Sequence, residues 1–358
     1  MSNQPILYFS FLIRQACEEG KSISQLTSEI NEANIRAQTG CHVNRKLLQK
    51  LRDSSPKVGL TLETCVALDS YFRQMGKIAQ EVPLLAYPAV VDALVRVMRV
   101  QFLYGAKPRP KERRVDVSCW DLDAGAHILT AASRASAKCE FDTAHVLWRS
   151  PASLETVQSE RWYHVLKDDQ DSVVSIGSPL ASLSTEVMLA QMFGVDPFRP
   201  PVAGAACKLP FRFCWATAVA KDFRSAFALA PAELRVFDPE IAARVGANQS
   251  HAFYLESKVH EVRRTGNSWL MHGIVAAQRR AAGNLWLVVS GLAGPATCAA
   301  AKMVQDIQAI LPWQQHQVSK VLWVPVLAHV REGDANPADG DIRELYKVEL
   351  LGQPRLQT

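Results

Sequence analysis

The sequence lacks the cysteine pattern of a disulfide-stapled or zinc-binding protein. Eight cysteines are scattered at positions 17, 41, 65, 119, 139, 207, 214 and 298, and no two of them form a C-x-x-C pair. Most of them stand among apolar residues, as reduced and buried thiols do. This distribution favours neither a disulfide framework nor a zinc site, and it predicts a cytoplasmic protein.

Long apolar runs free of charge are also missing. The most apolar long segment, residues 89–106, carries Asp92, Arg96 and Arg99, and charges inside such a segment argue against a membrane span. The N-terminus does not combine a basic start, an apolar run and a small-residue cleavage site, so we expect no signal peptide. A membrane is therefore not among the predicted partners.

Several motifs of catalysis and nucleotide binding are absent as well. The chain contains no G-x-x-x-x-G-K-[ST] loop, no G-x-G-x-x-G fingerprint, no H-E-x-x-H pair and no G-x-S-x-G elbow. These absences argue against P-loop NTP hydrolysis, a standard dinucleotide site, a zincin and an α/β-hydrolase. No cofactor is identified by the sequence, and no metal site is expected.

The composition that is present belongs to a globular protein of more than one domain. The chain has 358 residues, of which 48% are hydrophobic and 21% are charged, and this length predicts two or three units. Residues 1–114 hold 17 Lys and Arg against 10 Asp and Glu, a balance of +7 that leaves −2 of the net +5 for the remainder. A basic N-terminal third indicates a polyanionic partner.

Residues 1–82 form a predicted helical DNA-binding domain. Helical patterns cover residues 8–19, begin again at Ser22, and recur in VNRKLLQKLRD (43–53) and TLETCVALDSYFRQMG (61–76). A short helix, an S-x-x-x-L helix, a turn, a basic helix and a T-L-E-T helix follow one another. This order resembles the lambda-repressor-like helix-turn-helix domains over about residues 7–76, although the stretch between Leu26 and the basic helix is several residues longer.

The resemblance implies that residues 43–53 are a recognition helix lying in the major groove of double-stranded DNA. Asn44 would pair with adenine and Arg45 with guanine, because their donor and acceptor groups match those base edges. Three further cations would contact phosphates, namely Lys46, Lys50 and Arg52. The alternative is a solvated basic face on a structural helix.

Residues 83–114 are predicted to connect this domain to the rest. Residues 89–104 look like a helix that is apolar on most of its circumference and must be covered, either by the C-terminal body or by a second copy in a homodimer. The basic KPRPKERR segment, residues 107–114, would follow as a semi-rigid linker near a phosphate backbone.

Residues 115–358 are predicted to form an α/β domain. Apolar runs at 115–122, 144–150, 172–178, 208–216 and 284–291 look like buried strands, and residues 153–168 look like an amphipathic helix. Residues 253–264 and 268–280 predict a hairpin turning at Gly266 and Asn267. Two more strands are expected at 320–330 and 343–351. This pattern indicates a Rossmann-like α/β sheet with an antiparallel extension.

Two strand-to-helix turns of this domain carry the candidate ligand residues. Open α/β sheets bind ligands beyond the carboxyl ends of their strands, where helix N-termini favour phosphate or carboxylate. A nucleotide-like ligand is therefore predicted at Gly177, Ser178, Ser182, Thr185, Gly291, Gly294 and Thr297, with Arg149 as a phosphate clamp and Asp121 and Asp123 nearby. The alternatives are small residues that pack a helix on a strand, solvated loop acids, and a surface salt bridge for Arg149.

Glu186 is the candidate catalytic residue. The segment S-x-S-T-E-x-x-x-A, residues 182–190, is similar to the helix start of nucleoside deoxyribosyltransferase-like folds. The resemblance implies that Glu186 attacks or stabilises the sugar C1 position during N-glycosidic cleavage. The alternative is a glutamate favoured by helix capping and by the helix dipole.

These observations leave three functions open. The first is a ligand-responsive DNA-binding transcriptional regulator, in which ligand binding repositions the connector helix of a dimer. The second is a nucleotide or NAD N-glycosidase that uses Glu186. The third is a nucleic-acid-binding module whose α/β body is purely structural, so the sequence leaves enzymatic activity undecided.

Overall fold

The structure of the protein is a computed structural model. The chain forms two compact units. The first unit contains residues 1–91 and 305–317, and the second contains residues 92–304 and 318–358. The structure describes residues 4–36, 42–53, 62–78, 90–109, 111, 114–136, 138–147, 153–199, 209–215, 225–229, 234–235, 238–248, 251–256, 258–262, 264–310, 320–333, 343–352 and 355–357.

Four helices that the sequence predicted lie within the described part of the first unit. They are α1 (Gln4–Glu18), α2 (Ile23–Arg36), α3 (Arg45–Arg52) and α4 (Leu62–Gln74). Ser22 starts α2 because its hydroxyl accepts the Gln25 N–H while the Gln25 side chain accepts the Ser22 N–H, a reciprocal cap of the capping-box kind. The buried faces of the helices share one core, which includes Phe9, Ile13, Leu26, Ile30, Leu48 and Phe72.

The predicted connector helix over residues 89–104 is wrong. Only Val90–Leu94 is helical (α5), and Arg99–Arg109 forms strand β1 of the second unit. A short apolar run cannot be assigned to helix or strand by periodicity alone, and a strand buried on both faces reads as continuously apolar. The predicted linker is also wrong, since Arg109 pairs with Arg114 where β1 turns back into β2 (Arg114–Val117).

The second unit is an α/β structure with a mixed sheet, so the predicted α/β class is confirmed. Its large sheet has the order β13-β12-β10-β11-β4-β1-β2, with β3 also on β1, β9 on β10 and β14 on β12. The strands β1, β3, β4 and β11 run parallel, and the remaining pairs are antiparallel. Their bounds are β3 (Glu140–Leu147), β4 (Ser172–Ile176), β9 (Arg264–Thr265), β10 (Ser268–Arg279), β11 (Leu285–Gly291), β12 (Val321–Glu332), β13 (Arg343–Leu350) and β14 (Arg355–Gln357).

Six helices of this unit lie in the described residues, and the sequence did not predict the first and the fifth of them. They are α6 (Cys119–Ala135), α7 (Leu154–Gln158), α8 (Arg161–Asp168), α9 (Leu183–Phe193), α10 (Pro239–Asn248) and α11 (Gly294–Ile310). The strand predicted over residues 115–122 ends with β2 at Val117, because α6 begins two residues later. The single helix predicted over residues 153–168 is two helices, since Glu160 is an extended N-cap that opens α8.

A second, smaller sheet has the order β6-β5-β7-β8. Its strands are β5 (Phe211–Trp215), β6 (Ala228–Leu229), β7 (His251–Leu255) and β8 (Lys258–Glu261). The predicted strand over residues 253–264 is wrong, because the chain reverses between β7 and β8 next to Glu256 at φ 44°. The predicted turn at Gly266 and Asn267 is confirmed between β9 and β10.

The two faces of β1 carry different helices. A Cβ at Gly125 of α6 would meet the Tyr104 hydroxyl, and a Cβ at Gly105 would meet Ala181 and Ser182 at the start of α9. Successive side chains of a strand point to opposite faces, so α6 and α9 cover opposite faces of the sheet. In the sheet, β3 lies on one side of β1 and β4 lies on the other. The chain therefore changes direction across the sheet after β3, which makes the boundary between β1 and β4 a topological switch point.

Candidate functional site

Glycines at the carboxyl ends of the parallel strands let helix N-termini approach the sheet closely. A Cβ at Gly105 would lie 2.6 Å from the Ala181 carbonyl oxygen, and one at Gly291 would lie 2.5 Å from the Thr297 nitrogen. Real Cβ atoms do not approach other atoms so closely, so these positions require glycine. Of the predicted ligand residues, Gly291 and Thr297 therefore pack a helix onto its strand.

Gly294 has the same packing role on a neighbouring helix. A Cβ at Gly294 would lie 2.5 Å from Cδ1 of Trp120, in the first turn of α6. The N-termini of α6 and α11 therefore lie side by side. Among the glycines predicted to bind ligand, only Gly177 has a positive φ, at 118°, a conformation that other residues rarely adopt.

The hydroxyl groups at the start of α9 hydrogen-bond one another. Ser175 Oγ lies 2.7 Å from Ser184 Oγ and 2.9 Å from Thr185 Oγ1, and Ser182 Oγ lies 3.0 Å from Ser184 Oγ. All four residues are completely buried. The hydroxyls of Ser182 and Thr185 thus belong to a buried hydrogen-bond network between α9 and β4. Of the described serines and threonines that were predicted to bind ligand, Ser178 is the one that is partly exposed.

Glu186 is buried in the second unit with a fully engaged carboxylate. Its Oε1 accepts the N–H groups of Phe198, at 2.9 Å, and Ala226, at 2.8 Å, while Oε2 accepts the Ser225 hydroxyl at 2.6 Å. Burial raises the pKa of Glu186 to about 7, against the lowering effect of these three donors. Phe198 is itself held at φ 60°, a strained conformation for a bulky residue.

These contacts give Glu186 a structural role, because they fasten two loop segments to α9. Its exposed fraction is 0%, and a nucleophilic carboxylate must reach a substrate carbon. The capping interpretation is also only partly right, since Ser182 caps the N–H of Thr185 and the Glu186 carboxylate turns away to the loops.

Asp121 is a candidate to which the sequence gives little weight. Its alternative was a solvated loop acid, but it lies in the first turn of α6 with 6% of its surface exposed. Its carboxylate makes no hydrogen bond with any residue in the described ranges, and burial raises its pKa to about 7. The only sequence signal was its position just after a strand-like run, which many loop acids share.

The predicted DNA-binding residues lie together on α3 in the first unit. Arg45, Lys46 and Lys50 are exposed, and none of the three forms an ion pair within the part of the chain that the structure describes. Arg52 is half-exposed and donates to Asp53 at 2.8 Å. The arrangement leaves three uncompensated cations on one short helix.

Asn44 has a local role that the sequence did not anticipate. Its Oδ1 accepts the Leu47 N–H at 2.8 Å and caps the N-terminus of α3. Bidentate pairing with adenine needs both the oxygen and the nitrogen of the side-chain amide. Such pairing at Asn44 would therefore compete with the cap.

A cavity of about 260 Å³ adjoins this helix in the first unit. It is lined by Cys17, Lys21, Ser22, Ile23, Ser24, Arg45, Gln49 and Arg52, so the N-terminus of α2 and one side of α3 meet there. Lys21 donates to Glu29 and to Tyr71. Arg45 is the cation of this cavity that has no acidic partner among the described residues.

Other predicted features fall elsewhere. Arg149 lies outside the described residues. Within the described ranges, no three His, Cys, Asp or Glu side chains are placed to hold a metal ion. No helix among the described residues has both the length and the apolar character needed to cross a bilayer.

Comparison of this chain with protein-family models, with curated proteins and with solved structures gives no match.

Proposed function

We propose that the protein is a DNA-binding transcriptional regulator whose α/β unit binds a nucleotide-like small ligand. The observation that carries the proposal is a set of exposed cations on α3 that form no ion pair with any described residue, namely Arg45, Lys46 and Lys50. Cations without acidic partners are free to displace counterions from a phosphate backbone. The excess positive charge of residues 1–114 adds to the same attraction.

The cavity beside α3 supports phosphate contact. The cavity is lined by Ser22, Ile23 and Ser24 at the N-terminus of α2 and by Arg45 of α3. The N–H groups of Ser22 and Gln25 are used in the cap of α2, but the partial positive charge of a helix N-terminus still favours an anion. In this arrangement Arg45 serves a phosphate more readily than a guanine edge.

Duplex binding tests the DNA-binding half. Fluorescence anisotropy with mixed-sequence DNA, titrated at several salt concentrations, gives the slope of log K against log salt. Each lost phosphate contact lowers that slope by about 1, so Lys46→Ala with Lys50→Ala is expected to lower it by about 2. Lys138→Ala, an exposed lysine of the second unit, is the matched control, and equal slopes for all three proteins would contradict the proposal.

The ligand half rests on the strand ends of the α/β unit. Helices α6, α9 and α11 all begin there, and the switch point between β1 and β4 is where open α/β sheets bind ligands. A screen of nucleotides for thermal stabilisation tests it, because a ligand at about 100 times its Kd adds about 2.7 kcal/mol to the free energy of unfolding.

The alternative functions are less well supported. The N-glycosidase hypothesis needs an accessible Glu186, whose carboxylate is buried and satisfied. The mechanism in which ligand binding repositions a connector helix needs one continuous helix over residues 89–104. The helix ends at Leu94, and β1 begins at Arg99. A homodimer remains part of the proposal only because regulators of this class bind two-fold DNA sites, and light scattering of the purified protein tests it.

A further inference from the structure

The carboxyl group of Asp121 is an acceptor without a donor. It is 6% exposed, and no residue in the described part of the chain donates a hydrogen bond to it. Its oxygens are not fully enclosed, so solvent or a ligand can reach them, and polar groups this deeply buried in proteins are nearly always hydrogen-bonded. A carboxyl group that is nearly buried at the edge of the sheet and receives no hydrogen bond from the described residues points to a hydrogen-bond donor from outside the chain.

Tyr104 presents a second such group on the same face. It lies in β1 with 8% of its surface exposed, and its hydroxyl also makes no hydrogen bond with any described residue. The hydroxyl packs against Gly125, one helical turn after Asp121 on α6. Residues four apart lie on one face of a helix, so the phenol and the carboxyl group belong to the same layer between α6 and the sheet.

Gly177 marks where this layer reaches the strand ends. A Cβ at Gly177 would lie 3.4 Å from Oδ2 of Asp121. Gly177 directly follows β4, and Tyr104 pairs with Ile176 at the end of that strand. Asp121 and Tyr104 therefore flank the switch point between β1 and β4, which the fold leaves as the natural entrance for a ligand.

The electrostatics of this edge select the kind of ligand. The N-termini of α6, α9 and α11 lie at it, and their partial positive charges disfavour an amine and favour an anion. Asp121 itself accepts hydrogen bonds and repels the anionic part. A ligand that combines an anionic group with neutral hydroxyl donors suits both.

We propose that Asp121 and Tyr104 bind the ribose hydroxyls of a ribonucleotide at the switch point between β1 and β4. The two vicinal hydroxyls of ribose donate to the Asp121 carboxylate, and the Tyr104 hydroxyl completes the set. The phosphate lies toward the helix N-termini. This inference rests on the proposed function, since it names the ligand of the α/β unit and the residues that select it.

Calorimetric titration of the full chain tests the inference. The probes are AMP, GMP, CMP, UMP, ADP, NAD and ADP-ribose, followed by the dideoxy form of any nucleotide that binds. Asp121→Asn keeps the shape of the side chain but halves its acceptors, and Tyr104→Phe removes only the hydroxyl. Asp123→Asn, an exposed acid on the same helix, is the matched control, and circular dichroism verifies that each variant is folded.

The expected result is a bound ribonucleotide whose affinity falls at least tenfold with Asp121→Asn, falls several-fold with Tyr104→Phe and is unchanged with Asp123→Asn. Removing both ribose hydroxyls should weaken binding to the unmodified protein at least tenfold and weaken binding to Asp121→Asn much less, because the two changes share the contact between Asp121 and the ribose while the Tyr104 contact and the asparagine oxygen remain.

Two results would overturn it. A ribonucleotide that binds equally well to Asp121→Asn, with or without its ribose hydroxyls, refutes the assigned residues and leaves a nucleotide-sensing regulator standing. Failure of every probe at millimolar concentration refutes the ligand class. DNA binding by α3 is tested independently, by the slope of log K for DNA against log salt in the protein that carries both Lys46→Ala and Lys50→Ala.

Discussion

At the scale of single residues, two buried carboxyl groups of the α/β unit have opposite surroundings. Glu186 accepts three hydrogen bonds, from Phe198, Ala226 and Ser225, whereas Asp121 accepts none from the described residues. Both have a raised pKa, in each case chiefly because burial disfavours the charge. The difference in partners predicts opposite effects of the same kind of substitution.

Glu186→Gln is expected to destabilise the protein by about 1–3 kcal/mol at pH 5, below the folded pKa of about 7 where the cost of ionising the buried group does not enter, because the amide offers one acceptor oxygen to the donors that now use two. Chemical denaturation followed by circular dichroism measures the change. Glu155→Gln, on an exposed face of α7, should have little effect. An N-glycosidase activity abolished by Glu186→Gln without loss of stability would show that the structural assignment is wrong.

Asp121→Asn is expected to stabilise the protein at alkaline pH. The pKa of Asp121 rises from 3.8 to about 7 on folding, so the folded state holds a proton that the unfolded chain releases. The stabilisation from this proton is complete below pH 3.8 and is lost as the pH rises through about 7. The Asp121→Asn protein has no carboxyl group to ionise at this position, so it does not lose this stabilisation. The difference in free energy of unfolding between it and the unmodified protein should therefore grow by on the order of 2 kcal/mol between pH 5 and pH 8.

Denaturant titrations at both pH values measure this advantage. The neighbours that face Asp121 are Tyr104 on β1 and Cys298 on α11, and burial raises the pKa of both, for Cys298 to about 11. They stay uncharged over this range. Asp123→Asn is the control from the same helix. If both variants showed the same change of unfolding free energy with pH, the raised pKa assigned to Asp121 would be contradicted.

At the scale of elements, the strand ends depend on close contacts between helix N-termini and the sheet. Gly105, Gly291 and Gly294 each lie where a Cβ would meet another atom within 2.6 Å. Ser175 and Ser184 add a buried hydroxyl contact between β4 and α9. These contacts pack the helix N-termini tightly at the strand ends, and a preorganised ligand site requires support of this kind.

Gly294→Ala is expected to destabilise the second unit by about 1–3 kcal/mol, because the added methyl overlaps the Trp120 ring and must displace it. Thermal unfolding measures the loss. Trp120→Leu should destabilise by itself, yet combining it with Gly294→Ala should cost less than the sum of the two single changes, since the clash is then absent. Simple additivity of the two changes would count against the contact.

At the scale of the whole molecule, the two proposed sites differ in chemistry. The first unit contains a basic helix, and the second contains Asp121, whose carboxyl group has no hydrogen-bond partner among the described residues. A regulator requires that binding at one site changes the affinity at the other. Thermodynamic linkage makes any such change reciprocal.

A nucleotide that binds the α/β unit is therefore expected to change the DNA affinity by about 5- to 150-fold, the usual range of allosteric coupling, with DNA changing the nucleotide affinity by the same factor. Anisotropy titrations of DNA with and without nucleotide, and the converse titrations, measure both factors. Asp121→Asn should shift the effect on DNA to at least tenfold higher nucleotide concentration while leaving DNA binding by the ligand-free protein intact. DNA affinity that is indifferent to a bound nucleotide contradicts the regulatory proposal.

Local patterns in the sequence were sufficient for the four helices of the first unit and for most strands of the second. The amphipathic spacing in residues 43–53 and the Ser22 cap are short-range signals, read within a single turn. The exposure of Lys46 and Lys50 follows from the same spacing. The sequence alone thus determined the α/β class, the helical N-terminal part and the basic helix.

Only the tertiary structure decided which apolar run is a strand and which acid is buried. Residues 99–109 are strand rather than helix because β3 and β4 pair with them on either side, a contact between segments far apart in the chain. Asp121 differs from a solvated loop acid, and Glu186 from a nucleophile, only through burial and the atoms that face them. Such properties arise from packing between distant segments, and no local pattern of residue types encodes them.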